Sequence, residues 1–297
     1  MAKKKKNNKK RLSFKDMVKE VQQQAVEDEK RAAELEVNAI ELGDSGIISA
    51  VKNILEAPLR AKKNDDSSIE NGEIFLVATP IGNLEDITLR ALKVLQSCDI
   101  IAAEDTRQTR KLLSYFEIHD KHLESLHIHN EHGKTNYLLD KVVEKNLKMA
   151  IVSDAGTPCI ADPGFFTVRE AVQKGVKINI IPGVSAVTFA AVAAALPVDK
   201  FTFDGFIPVK SGRKTAFFEA IKADDKTHIM FESPHRIAKT IKMICEIVGV
   251  DTPMAIIREA TKVYEETIHG TANELLDSLQ EKNWKGELVV VISPQNL

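Results

Sequence analysis

At 297 residues, with 43% hydrophobic and 28% charged residues, the chain is long enough for two compact domains with sizeable cores, which excludes a disordered or fibrous protein. No run of about 18 apolar residues is present to span a bilayer, and the Lys-rich start has no apolar signal region behind it, so a cytoplasmic protein without a membrane partner is expected. Net charge is −2, and removing the seven cations of residues 1–12, which include no acid, leaves −9 on the rest, so any polyanion must be met by a local basic patch rather than by the global field.

Residues 1–72 read as a basic and polar appendage. The basic tail is either a salt-sensitive contact for phosphates or a solvated tail. Ser13, with Asp16 three positions on, starts a polar helical pattern that runs to about Glu41; a weaker amphipathic piece follows at 47–55, and 61–72 has linker composition. From Glu73 short apolar runs alternate with amphipathic helices, the pattern of a mainly parallel sheet with helical crossovers. Strands are expected at 74–78, 100–103, 149–153 and 178–181, and helices at 87–96, 109–116, 166–174 and 185–195. The last of these is rich in small residues and suits close packing. Leu196-Pro197 breaks the chain, and the second half opens with Phe201-Thr202-Phe203-Asp204-Gly205-Phe206. Helices near 215–223 and at 237–248 follow, with strands at 228–232, 255–258 and 288–292. The expected fold class is α/β, with two α/β domains, 73–197 and 198–297, a cleft between them, and a partly helical or disordered extension over 1–72. Cys98, Cys159 and Cys245 are scattered in apolar stretches and read as reduced, buried thiols.

In such sheets ligands bind where loops leave the carboxyl ends of the strands, and three loops qualify. Thr79-Pro80-Ile81-Gly82-Asn83 combines a rigid Pro80 with a permissive Gly82, so a ligand can come close to backbone N–H and C=O groups. Asp154-Ala155-Gly156-Thr157-Pro158 shapes a turn while leaving a carboxylate and a hydroxyl to orient a polar ligand, and Asp162-Pro163-Gly164 continues it. Pro182-Gly183-Val184-Ser185-Ala186 places Ser185 as an N-cap beside amides that suit a ligand carboxylate. Each alone is equally an ordinary structural turn. A dinucleotide fold is a rival, because Glu104 and Asp105 end a strand where a ribose-binding acid would sit, but the glycine fingerprint is missing.

Taken together the stretches are specific. Residues 77–88, Ala102-Ala103-Glu104-Asp105-Thr106-Arg107, 152–158, Phe231-Glu232-Ser233-Pro234-His235-Arg236, Arg258-Glu259-Ala260-Thr261-Lys262 and Lys285-Gly286-Glu287 resemble the tetrapyrrole methylase superfamily. Within it they are similar to the bacterial small-subunit (16S) ribosomal RNA cytidine 2′-O-ribose methyltransferases. The resemblance covers about 73–292 and leaves out the first 72 residues. It implies S-adenosylmethionine bound in the cleft between two α/β domains, and methylation of a cytidine ribose in the decoding region of small-subunit ribosomal RNA, within a ribosomal subunit. It also implies a homodimer. Carried over by motif, Pro80, Asp154, Ala155, Gly156, Thr157, Pro158, Ser185 and Ala186 line the cofactor pocket. In tetrapyrrole-modifying relatives the first turn is glycine-rich, whereas here it is Thr-Pro-Ile-Gly-Asn, which favours RNA over a corrin or porphyrin. Some members have a further segment beyond the counterpart of Ile292, and its part in RNA capture or dimerisation is not carried over.

Methyl transfer from a sulfonium to a hydroxyl is an in-line displacement, so positioning does most of the work and a base adds to it. Candidate bases and orienters are Glu104, Asp105, Glu131, Glu232, Glu259 and Lys262, the lysine only if its pKa is lowered. The chemistry requires no metal, and His127 and His129, two apart on a possible strand, lack a third ligand and read as polar wall or RNA contact. Expected phosphate contacts are Arg107, Arg110, Lys111, Lys210, Arg213, Lys214, His235 and Arg236. Two alternatives stand beside this reading. A non-catalytic ribosome-assembly factor would not need three intact loops, and methylation of a tetrapyrrole or a protein side chain is opposed by the first turn and the Glu104-Asp105-Thr106-Arg107 stretch.

Overall fold

The computed structural model of the protein describes residues 72–279 and 284–294. The helical patterns at 13–41 and 47–55 and most of the linker lie outside the described residues.

A five-stranded sheet comes first. In chain order it contains β1 (Glu73–Val77), α1 (Leu89–Ser97), β2 (Ile100–Ala103), α2 (Thr106–Tyr115), β3 (His122–Ser125), α3 (Glu131–Glu144), β4 (Lys148–Val152), α4 (Phe165–Gln173) and β5 (Lys177–Ile181). The spatial order is β3-β2-β4-β1-β5, and every pairing is parallel. β1 is buried along its whole length, as a central parallel strand with both faces covered must be, and its Glu-Ile-Phe-Leu-Val run supplies the apolar surface. Thr88 starts α1 by accepting the Ala91 N–H at 3.1 Å, and Asp105 starts α2 by accepting the Arg107 N–H at 2.8 Å. Ile74, Leu126, Leu138, Leu139, Val142 and Met149 fill one core of this sheet. Each such fully buried large side chain contributes about 1.5–3 kcal/mol.

The second sheet contains β6 (Phe201–Phe206), α6 (Ser211–Lys222), β7 (Thr227–Glu232), α7 (Ile237–Ile247), β8 (Pro253–Arg258), β9 (Glu266–Thr271), α8 (Ala272–Leu279) and β10 (Leu288–Ile292). Its order is β6-β7-β10-β8-β9, and only β6 and β7 pair in parallel. The expectation of a mainly parallel arrangement therefore holds for the first sheet alone. One face of the second sheet is covered by α6, α7 and α8 through Phe218, Ile241, Ile244 and Leu275. The other face is covered by the small-residue helix α5 (Ala186–Ala193), whose Ala190 and Ala191, with Ala194 just beyond it, pack on Ile229, Ala255, Ile257, Val289 and Val291. Small side chains let that backbone come close. α5 thus precedes the expected boundary at 197/198 in sequence, yet buries its face with the second sheet.

Because β4, β1 and β5 are adjacent and parallel, their carboxyl ends open at one edge of the first sheet. The three loops singled out in the sequence leave from that edge. No helix among the described residues is long and apolar enough to cross a membrane.

Candidate active site

The first two loops are stitched together by backbone. Thr79 N–H donates to the Gly156 carbonyl at 2.9 Å and Gly156 N–H returns a bond to the Thr79 carbonyl at 3.0 Å. Gly82 has a different task from the one its flexibility implies. A Cβ there would lie 2.4 Å from Lys262 Cγ and 2.8 Å from Thr261 Oγ1, and the next residue's N–H, that of Asn83, donates to Thr261 Oγ1 at 3.1 Å. The glycine lets the first turn dock against the loop after β8, so it joins the two sheets.

Two cavities meet at this junction. One, of about 410 Å³, is walled on one side by Ile81, Ala155–Thr157, Ile160–Asp162 and Ser185–Val187, and on the other by residues of the second sheet, among them Phe206, Phe231, Ile257 and Leu288. The other, of about 570 Å³, is lined by Thr79–Gly82, Ser153–Ala155, part of α2 including Lys111 and Tyr115, and Lys262 and Glu287. Ile81, Ala155 and Glu287 belong to both. Of the residues expected to line a cofactor pocket, Ala155, Gly156, Thr157, Ser185 and Ala186 face the first cavity. Pro80 and Asp154 face the second, and Pro158 is buried and lines neither.

The carboxylates have unlike surroundings. Asp154 Oδ1 accepts the Asp105 N–H at 3.0 Å, and the Asp154 N–H donates to Glu104 Oε2 at 3.2 Å, so the ends of β2 and β4 are tied by reciprocal bonds. Partial burial pushes the Asp154 carboxyl above its ordinary value. Asp162 is pushed up to about 6 by burial and by the charge of Glu104, against a hydrogen bond from Ser153. Asp105 goes the other way, held at about 2 by the Arg107 side chain, whose Nη2 lies 2.7 Å from Oδ2.

Three candidate bases are otherwise engaged. Glu131 is buried, and its Oε1 accepts the N–H groups of Gly164 at 3.0 Å and Thr167 at 2.9 Å and the Thr167 hydroxyl at 3.3 Å. It caps α4, whose own N-cap residue is a glycine with no side chain to do so. Glu232 is buried at the centre of a hub, bound by Arg236 at 2.6 Å, the Ser233 N–H at 2.7 Å and the Thr240 hydroxyl at 2.5 Å. Glu259 Oε1 accepts the Glu287 N–H and the Lys262 ammonium, each at 2.9 Å. Burial opposes its ionisation, but those two donors outweigh burial and hold its carboxyl below the ordinary value. Gly286 packs flat against that carboxylate, where a Cβ would come within 2.5 Å of Glu259 Cδ. Lys262 also reaches Glu287 at 3.1 Å. Burial opposes its charge, and the two carboxylates more than restore it, so its pKa is raised. A lysine held cationic is no base, which corrects that expectation.

The expected phosphate contacts divide in the same way. Arg107, Arg110 and Lys111 are exposed on α2, and Lys210, Arg213 and His235 are exposed at and beyond the second sheet. Arg107 shares its guanidinium with Asp105. Lys214 is buried, 2.9 Å from Thr240 Oγ1 and 3.6 Å from Glu232 Oε2, and cannot meet a phosphate. Arg236 is tied to the same carboxylate but still lines the first cavity. His127 and His129 sit in the turn after β3 rather than on a strand, their rings 6.0 Å apart.

Asp162 lines the first cavity and Tyr115 the second, although neither was among the expected site residues. Asp162 was legible as the second acid in the loop after β4; Tyr115 carried no signal beyond its place at the end of a basic helix. Among the described residues no group of three or more His, Cys, Asp or Glu side chains is placed to hold a metal ion.

Comparison with known proteins places the chain in one family. The profile of the family described as Tetrapyrrole (Corrin/Porphyrin) Methylases matches residues 73–276. The Ribosomal RNA small subunit methyltransferase I of Halalkalibacterium halodurans is 42% identical over 223 residues, 75% of this chain and 76% of that protein. The protein of the same name from Escherichia coli O157:H7 is 43% identical over 234 residues, 78% of this chain and 81% of that one. Among solved structures, a uroporphyrin-III C-methyl transferase from Thermus thermophilus complexed with S-adenyl homocysteine shares the fold at a TM-score of 0.50 and 16% identity, over 74% of this chain and 97% of that one.

Proposed function

The chain belongs to the tetrapyrrole methylase family, alongside the Ribosomal RNA small subunit methyltransferase I proteins, and from that premise we propose that it methylates small-subunit ribosomal RNA with S-adenosylmethionine as donor. More finely, the acceptor is the 2′-hydroxyl of a cytidine ribose in the decoding region. The observation that carries this reading is the pair of adjoining cavities at one sheet edge, one closed over by apolar residues of the second sheet, the other lined by the cations Lys111 and Lys262. A small amphipathic donor and a polyanionic acceptor need that combination.

The first cavity fits the cofactor. Its volume of about 410 Å³ falls in the range of roughly 300–1,000 Å³ usual for small-molecule sites. Ser185 stands at the N-cap of α5 without a side-chain cap bond, so the amides of that first turn suit a carboxylate. Ile81, Val187 and Ile257 offer apolar walls, and Asp162 offers a counter-charge to a cation. Ala155, Gly156, Thr157, Ser185 and Ala186 would hold the cofactor, with Pro158 supporting their loop. When bound, S-adenosylmethionine supplies a methyl group made electrophilic by its sulfonium.

The second cavity takes the ribose. Asp154 lines it, its carboxyl raised and oriented by the Asp105 N–H, and accepts the hydroxyl proton as the oxygen attacks. Glu104 steadies it through the Asp154 N–H. Lys262, cationic, holds a phosphate or a ribose oxygen, Lys111 and Arg110 take phosphates beside it on α2, and the exposed Lys210 and Arg213 are further candidate phosphate contacts. The domains in this reading are 73–197 and 198–297, one bearing the three loops and the other closing the first cavity.

Mass mapping of ribose methylation in small-subunit RNA tests the proposal. RNA from cells lacking this protein is expected to lose one cytidine 2′-O-methyl group that returns with a plasmid copy. An unchanged methylation map defeats the reading.

A further inference from the structure

The acceptor reading of the second cavity leaves one prominent side chain without a task. Tyr115, on the last turn of α2, is 59% exposed. Phe116 meets it edge-on, the ring centroids 4.9 Å apart and the planes at 83°, which restrains the tyrosine ring without covering it. Tyr115 and Lys111 line the second cavity and also an open groove of about 650 Å³ shared with Arg107, Arg110 and Ser114. Positions 107, 111 and 115 are four apart, so they share one face of α2, with 110 and 114 beside them. The face therefore runs from the acceptor cavity out along a strip of cations, with an exposed aromatic ring where cavity and groove meet.

A ribose hydroxyl inside a cavity requires its nucleotide to leave the regular stack, and its neighbours then present unpaired base faces. Proteins recognise such segments by stacking bases on aromatic rings and gripping the phosphates between them with cations. We propose that Tyr115 is a stacking platform for an unpaired base adjacent to the methylated nucleotide, with Arg110 and Lys111 taking the phosphates beside it. Lys111 is already steadied by Gln108 Oε1 at 3.3 Å. This inference rests on the RNA reading of the site.

The test uses the full-length chain and small ribosomal subunits purified from cells that lack this protein, with transfer of a tritiated methyl group as the readout. Y115A and Y115L are expected to raise KM for subunits about tenfold or more with little change in kcat, the effect of losing one stacked base. Y115F keeps the ring and is expected to keep the wild-type KM. Calorimetry with S-adenosylmethionine should give the same affinity for all four proteins, which also reports that they are folded. The salt dependence should separate the roles: R110A lowers the slope of log K against log salt by about one, and Y115A leaves it unchanged. Wild-type KM in Y115A or Y115L, or a Y115F defect as large as that of Y115A, overturns the stacking role. A wild-type chain that transfers no methyl to the subunits overturns the proposed function and this inference with it, whereas active wild type with an unaffected Y115A overturns this inference alone.

Discussion

The two cavities that meet at Ile81, Ala155 and Glu287 are closed by different parts of the chain, although much of the wall of each comes from the same first sheet. The smaller is closed by the second sheet and walled by Ile160, Phe206, Phe231 and Ile257, with Arg236 bound to Glu232 at its edge and Asp162 as an acid on the side of the first sheet. The larger is bounded by α2 and the Lys262 loop, and it mixes Asp154 and Glu287 with Lys111 and Lys262. The difference teaches that, on the proposed reading, one β4–α4 loop serves two ligands, one on each side of Ala155. Ala155 turns the chain from one cavity to the other, leaving Asp154 on the acceptor side and Gly156 and Thr157 on the donor side.

That division is broken most directly by changing the acid on the acceptor side. Asp154→Asn keeps an oxygen to accept the Asp105 N–H but cannot take a proton. Turnover is expected to fall about 10²- to 10⁴-fold, the range for a lost general base, while S-adenosylmethionine affinity by calorimetry stays within about twofold. A loss of cofactor affinity matching the loss of turnover would erase the distinction between the cavities.

Glu131 sharpens the comparison from outside both. Its carboxylate receives two buried N–H groups and a hydroxyl, so Glu131→Ala leaves donors without a partner and is expected to cost about 3 kcal/mol in chemical denaturation. Glu131→Gln retains an acceptor oxygen and should cost much less. Both proteins, assayed where they are folded, are expected to turn over at close to the wild-type rate. A turnover defect in Glu131→Gln without a stability defect would return this residue to the catalytic set.

How much of this was legible in the sequence follows from where the determining contacts lie. β2 at Ile100–Ala103 was readable to the residue, because a buried parallel strand is a plain apolar run. β3 and β9 were not, because edge strands such as His122-Leu123-Glu124-Ser125 and Glu266-Thr267-Ile268-His269-Gly270-Thr271 carry polar residues and no clear alternation. α3 was hidden by Gly133 in its first turn and by an N-cap, Asn130, that makes no side-chain bond to it. The three ligand loops were legible, since strand ends and turn residues are local signals. The fates of the charged side chains were not. Lys214 looked like its neighbour Arg213, and only the position of Glu232 and Thr240 on other elements makes it a buried partner. Glu131 and Asp154 are likewise carboxylates near turns, told apart only by which N–H groups face them in space.

Asp162 gives the smallest effect and the finest test of the donor side. Its carboxyl is pushed up to about 6 by burial and by the nearby charge of Glu104, from an ordinary value of 3.8. A group raised on folding contributes stability that is fully present below the unfolded value and is lost as pH rises through the folded one, so folding stability should decline between about pH 4 and 6. Asp162→Asn should flatten that segment of a Tm-against-pH curve. Ligand binding carries the opposite sign. A cation in the first cavity favours the ionised carboxyl, so S-adenosylmethionine should bind more tightly as pH rises through about 6 and then level off. S-adenosylhomocysteine, which lacks the sulfonium charge, should show a shallower rise, and the difference between the two ligands should vanish in Asp162→Asn. The two ligands together isolate the methyl-bearing charge from everything else that titrates in the cavity. Equal pH profiles in the wild-type protein would mean that Asp162 does not face the sulfonium, and would leave the apolar walls and the α5 amides as the basis of donor recognition.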